Sequence, residues 1–185
     1  MRILAISGSL RRDSHNTALL RAAAELLPPD VEVVIYENLA AIPNFNEDDV
    51  PARPAAAQDL WDAVAAADGV LISTPEYNSS IPGVLKNALD WLSRPLQDSP
   101  LLGKPAVVIG ASTGMFGAVW AQAETRKVLS AIGARVIDRE LPVPTAHEQF
   151  HESGRLRDTA IEAELVISLD ALRDAINARA ARAAS

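Results

Sequence analysis

The chain has 185 residues, 49% of them hydrophobic, and 17 basic against 24 acidic side chains leave a net charge of −7. That is about one domain's worth of chain with enough apolar mass to bury a core. The acidic balance argues against nucleic acid and anionic membrane surfaces as partners. Cysteine is absent, which removes disulfides, thiol redox chemistry, iron–sulfur ligation and most structural zinc sites together.

The opening residues run straight into a strand-like segment with no long apolar leader, and no apolar run reaches the length of a bilayer span. A cytoplasmic protein is expected, organised as a single domain over 1–185. In chain order, a strand is predicted at Arg2–Ser7, then a helix whose apolar face is Leu19, Ala22, Ala23 and Leu26 and which Pro28 and Pro29 stop. A second strand covers 31–36 and a second helix 55–67. The third pair is a strand at Gly69–Thr74 and a helix with Leu85, Ala88, Leu89 and Leu92 on one side, Pro82 sitting in its first turn. A strand at 106–111 precedes a helix over 117–132, and a strand at 135–138 precedes a last helix carrying Ile161, Leu165, Leu169, Leu172 and Ile176.

Five strands alternating with five helices call for an α/β, three-layer sandwich: a parallel sheet with helices on both faces. Five such units in so short a chain fit the flavodoxin-like strand order 2-1-3-4-5. Its topological switch point falls between strands one and three, so a ligand is expected at the loops that follow them.

The first of those loops reads Ser7-Gly8-Ser9-Leu10-Arg11-Arg12-Asp13-Ser14 and opens a helix. A helix N-terminus offers free N–H groups and a positive dipole end, and Ser9, Arg11 and Ser14 add hydroxyls and a guanidinium suited to a phosphate monoester. No glycine fingerprint for a dinucleotide or triphosphate is present. Taken alone, the segment reads equally as a Ser-capped helix beside a solvated basic turn. The second loop, Thr74-Pro75-Glu76-Tyr77-Asn78-Ser79-Ser80-Ile81-Pro82-Gly83, is held by two prolines and a glycine and carries an aromatic and an amide at its tip. It can supply a wall and polar edge groups for a planar heteroaromatic ring, or simply lead into a helix with Tyr77 half buried.

Together, GSLRRDSHN and TPEYNSSIPGVLKNALDWLSRP resemble the signature pair of the NADPH-dependent FMN reductase family, which includes quinone, chromate and azo-dye reductases. The likeness extends to Ile42-Pro43-Asn44-Phe45-Asn46, to 110–117 and to Gly154-Arg155-Leu156. It implies an oxidoreductase using FMN, with NADPH or NADH as co-substrate. It implies that Ser9, Arg11, Ser14 and Asn16 hold the FMN phosphate, that Pro75, Glu76, Tyr77 and Asn78 line the ribityl chain and ring, and that Ser112 lies near the ring. The family often begins its fourth helix Gly-Gly-x-Arg, where this chain has Gly117-Ala118-Val119-Trp120.

Two other motifs point elsewhere. Gly110-Ala111-Ser112-Thr113-Gly114 is a literal G-x-S-x-G after a strand, and Asp138 with His147 or His151 would complete a triad in hydrolase order, which makes a serine esterase using Ser112 the alternative enzyme. That reading leaves the first and third loops without a role. His147-Glu148-Gln149-Phe150-His151 matches H-E-x-x-H, but the prolines before it and Gly154 after it leave little helix to carry two zinc ligands. Glu47-Asp48-Asp49 lacks calcium-loop spacing and reads as a solvated acidic rim.

With these set aside, the chemistry falls to the cofactor: hydride from the nicotinamide to flavin, then two electrons to a small acceptor such as a quinone, in ping-pong order. No resident metal is expected. Backbone N–H groups near Asn78 or along 112–117 are candidates to stabilise charge on the reduced ring. A single-electron flavodoxin-type carrier is the further alternative, against which Arg11 and Arg12 argue. Trp91 and Trp120, read as displayed on the third and fourth helices, suggest anchors of a homodimer or homotetramer.

Overall fold

The computed structural model describes residues 1–184. Strands β1 (Arg2–Ser7), β2 (Glu32–Tyr36), β3 (Gly69–Thr74) and β4 (Pro105–Ala111) alternate with helices α1 (His15–Leu26), α2 (Ala55–Ala66), α3 (Gly83–Leu92) and α4 (Val119–Ile132). Two short strands, β5 (Arg135–Val136) and β6 (Pro142–Val143), precede the long helix α5 (Thr159–Ala183). All pairings are parallel in the order β2-β1-β3-β4-β5, as the alternation predicts. Among the described residues no helix is long and apolar enough to cross a membrane.

Strand side chains alternate between two cores, which is why the central strands read as unbroken apolar runs. Leu4 and Ile6 of β1 and Val70 and Ile72 of β3 face α2, α3 and α4, while Ile3, Ala5 and Leu71 face α1 and α5. Caps set where the flanking helices begin. The Ser14 hydroxyl accepts the Thr17 N–H at 3.2 Å at the head of α1, and Asp158 accepts from Ala160 and Ile161 at the head of α5.

The expected fifth strand at 135–138 is corrected: it is interrupted. β5 pairs with the start of β4, the chain then leaves the sheet, and β6 returns to pair Pro142 with Gly110 and Val143 with Ala111. The excursion carries Asp138, Arg139 and Glu140, charges that an enclosed strand cannot hold. They turn outward to ion pairs, Arg139 to Glu164 of α5 and Glu140 to Arg126 of α4. The Gln122 amide oxygen takes the Leu141 N–H at 3.1 Å, and Pro142, with no N–H to offer a ladder, sits on the edge.

A second correction concerns Trp91. It is 1% exposed, its indole N–H donates to the Pro43 carbonyl at 2.8 Å and its ring meets Phe45 edge-on at 5.1 Å. The segment after β2 covers the outer face of α3, so Trp91 belongs to the core and only Trp120, 47% exposed, is displayed.

Candidate functional site

A cavity of about 110 Å³ opens where the loops after β1, β3 and β4 converge. Serine hydroxyls fold the first loop: the Ser7 Oγ accepts the Ser9 N–H at 3.3 Å and the Thr17 hydroxyl at 3.0 Å, and the Ser9 Oγ accepts the Arg11 N–H at 3.4 Å. Because the Ser14 cap occupies the Thr17 N–H, the N–H groups of His15 and Asn16 remain at the positive end of α1 without intrahelical acceptors. Ser9, Ser14 and Arg11 stand around them on the cavity wall. Among the described residues the Arg11 guanidinium has no carboxylate partner.

Asn16 lines the cavity too, but its side chain is turned into the sheet. Its Oδ1 accepts the Ser73 hydroxyl at 2.8 Å and the Ala111 N–H at 3.0 Å, and its Nδ2 donates to the Ala111 carbonyl at 3.0 Å. It staples the head of α1 to β3 and β4, leaving its backbone N–H as the group that faces a ligand at the helix end.

The opposite wall is Pro75, Glu76 and Tyr77. Ala118, the residue before α4, is left-handed at φ 64° and has no capping side chain; the Glu76 carboxylate does that work, accepting the Trp120 and Ala121 N–H groups at 3.0 and 3.2 Å. Beyond it, Tyr77 and Ser80 exchange backbone bonds at 3.2 Å across Asn78 and Ser79, both with positive φ. This is a two-residue turn of the mirror-image kind, a conformation asparagine tolerates. Asn78 therefore sits at an exposed tip and, of the nine residues expected from the sequence, is the one outside the cavity. Glu124 of α4 holds this loop from the other side, accepting the Ser80 hydroxyl at 2.5 Å and the Ile81 N–H at 3.2 Å, and these bonds hold its carboxyl below the usual range.

Ser112 and Thr113 complete the cavity. The Ser112 Oγ accepts the Gly114 N–H at 3.1 Å, and among the described residues no hydrogen bond joins it to a histidine. Its φ is not positive and α4 starts only at Val119, so the sharp strand-to-helix elbow of a hydrolase is missing. Gly110 has a packing reason instead: a Cβ there would lie 2.8 Å from the Thr74 carbonyl oxygen. The His147–His151 segment forms only a short 3-10 turn, Ala146–Glu148, so its two histidines do not share a helical face.

Sequence reasoning missed His15 and Thr113 on the wall. His15 stacks on Phe150 at 6.3 Å, and burial, together with Arg11 and His147, lowers its pKa. Its place was readable, since the residue after an N-cap serine begins the helix.

Hydroxyls, helix N–H groups and one guanidinium around a space of this size suit a phosphate group, and at this switch point they define a nucleotide-cofactor site in a flavodoxin-like sandwich. Comparison narrows the class: residues 1–148 match the NADPH-dependent FMN reductase family, and the chain belongs to that family. It is 39% identical over 175 residues, 94% of each chain, to an NAD(P)H-dependent FMN reductase of Pseudomonas aeruginosa. It is 38% identical over 141 residues to a quinone reductase of Escherichia coli, covering 75% of this chain and 74% of that one. The flavoenzyme NAD(P)H:acceptor oxidoreductase FerB of Paracoccus denitrificans superposes with a TM-score of 0.84 at 33% identity, over 95% of this chain and 97% of FerB.

Proposed function

We propose that this chain is an FMN-dependent NAD(P)H oxidoreductase that reduces a small acceptor of the quinone type, with free flavin, azo compounds and metal oxyanions as further acceptors of the same electron demand. The observation that carries it is the cavity at the head of α1, built of phosphate-binding groups and too small for anything beyond a phosphate and the start of a sugar-alcohol chain. Bound FMN supplies the redox chemistry, taking a hydride from the nicotinamide and passing two electrons on in a ping-pong cycle.

The chain's own residues bind and orient. Ser9, Ser14 and the His15 and Asn16 N–H groups receive the phosphate, with Arg11 closing over it as a charge-assisted donor. Pro75, Glu76 and Tyr77 form the wall along which the chain of the cofactor leaves, while Asn78 and Ser112 flank the rim. Tyr77, Met115, Phe116 and Trp120, all largely exposed, give that rim an apolar surface. Such a surface suits planar rings and also a second subunit, so a homodimer or dimer of dimers with the rim at the boundary is part of this reading.

Titration of the purified protein with FMN and FAD, followed by addition of NADPH or NADH without air, tests it. FMN should bind more tightly than FAD, and the flavin should bleach promptly. FAD binding as tightly as FMN would sink the single-phosphate argument, and slow bleaching would favour a carrier that depends on protein donors. Light scattering of the FMN-saturated protein should give a multiple of the 19.7 kDa chain mass; a monomer would refute the assembly.

A further inference from the structure

Beside the phosphate cavity, and sharing Ser9 and Arg11 with it, lies a larger cleft of about 310 Å³. Ser7 and the end of β2 form its floor, and Thr17 and Arg21, one helical turn apart, project from α1 along one side. Arg12 and Glu37 stand at its rim. Three guanidinium groups thus line one cleft, those of Arg11, Arg12 and Arg21. All three residues are exposed, and among the described residues none has an ion pair or a side-chain hydrogen bond.

That clustering contrasts with the rest of the chain. Arg2, Arg94, Arg126, Arg139, Arg155 and Arg173 each pair with a carboxylate, in a protein whose net charge is −7. Like charges gathered without partners repel one another unless an anion arrives, and Glu37 is the one carboxylate on the cleft wall. Three cations against one anion match a dianionic phosphate monoester, which guanidinium groups grip bidentately. In the proposed reaction the monoester of FMN is consigned to the inner cavity. The remaining candidate is the group that separates the two nicotinamide donors, the adenosine 2′-phosphate of NADPH.

We propose that the Arg11–Arg12–Arg21 cleft is the subsite for the 2′-phosphoadenosine end of NADPH and makes NADPH the preferred hydride donor. Its position agrees with the general behaviour of doubly wound sheets, where residues just past the second strand distinguish a ribose 2′-hydroxyl from a 2′-phosphate. Thr17 adds a hydroxyl to the anion, and Leu10, 55% exposed, and Ala40 present apolar surface beside it for the adenine. Arg11 faces both spaces, so the two phosphates would share one cation, and Arg12 and Arg21 belong to the cleft alone.

This inference rests on the reductase reading, and its test separates the two. Calorimetry on FMN-saturated protein compares adenosine 2′,5′-bisphosphate, 5′-AMP and inorganic phosphate. The bisphosphate should bind at least tenfold more tightly than either, and the Arg12→Ala/Arg21→Ala double variant should lose that preference. In steady state, the ratio of kcat/KM for NADPH to that for NADH should fall tenfold or more in Arg21→Ala. Equal affinities for the bisphosphate and 5′-AMP, phosphate binding as tightly as the bisphosphate, or an unchanged ratio in the variant would each overturn the subsite. Failure of both nucleotides to bleach the flavin would overturn the reductase reading instead, while the calorimetric preference would still decide what the cleft binds.

Discussion

Replacing Asn16 by alanine removes three buried hydrogen bonds at once, to the Ser73 hydroxyl and to both backbone groups of Ala111. The Ser73 hydroxyl can rotate to another acceptor, but the Ala111 N–H and carbonyl are fixed at the end of β4. Each buried backbone group left unpaired costs about 1–3 kcal/mol. The neighbouring cavity admits water to part of the gap, so the lower half of the sum applies, about 2–4 kcal/mol. For a chain of this size that corresponds to a fall in Tm of roughly 4–16 °C. The measurement is thermal unfolding by circular dichroism on FMN-free protein, so that ligand linkage does not contribute. Ser73→Ala should cost only about 1 kcal/mol, because Asn16 then keeps both bonds to Ala111. A Tm loss below about 2 °C for Asn16→Ala, accompanied by a large loss of FMN affinity, would refute the staple and make Asn16 a direct phosphate ligand.

Arg11→Ala should weaken FMN binding by about 1.5–3 kcal/mol, roughly ten- to hundredfold, with little change in the Tm of the FMN-free protein, and Arg12→Ala should weaken it less; calorimetry that found equal or reversed losses would reassign the loop. Ser112→Ala should keep NAD(P)H-dependent reduction within roughly tenfold of wild type, and ester hydrolysis that vanished in this variant would restore the hydrolase. Lys104 is 3% exposed and donates to the Val64 and Ala67 carbonyls at the end of α2, and burial pushes its ammonium down to about 8. Above that pH the unfolded chain holds the extra proton, so denaturant titrations should show stability rising from about pH 8 towards the ordinary lysine value, and the slope should disappear in Lys104→Met.

The strand order was readable because β1, β3 and β4 are enclosed on both faces and must therefore be apolar throughout, and because helices alternate with them. The loop after β1 was readable for a different reason: its chemistry lies in residue types, hydroxyls and a guanidinium ahead of a helix. What escaped depends on contacts across long stretches of chain. The periodicity of α3 marks Trp91 as outward, and nothing local announces that Pro43 and Phe45 fold back over it, with the Asn87 amide binding both at 2.9 and 2.7 Å. The interruption of the last strand follows from Gln122 capturing the Leu141 N–H, again an event of tertiary packing. Glu76 reads in the sequence as one more polar group in a loop, while in the fold it serves as the N-terminal cap of a helix whose own cap position holds an alanine.

That last arrangement bears on how the rim is built. Asn78, Ser79, Ala118 and Thr145 are the non-glycine residues with positive φ among those described, and all lie in the loops after β3, β4 and β6. Such conformations cost about 1–2 kcal/mol each for an L-residue and persist only where neighbours compensate. Here two carboxylates do so from opposite directions. Glu76, in the loop after β3, holds the head of α4, and Glu124, on α4, holds the far side of that same loop. The loop carrying Tyr77 and the helix carrying Trp120 are thereby tied at two points, and Phe116 packs on Trp120 at 5.0 Å. An apolar rim fixed in this way offers planar acceptors a rigid surface and no charged partner. Such a surface selects by shape and electron demand more than by specific hydrogen bonds, which is the behaviour expected of a reductase serving a class of acceptors in preference to a single one.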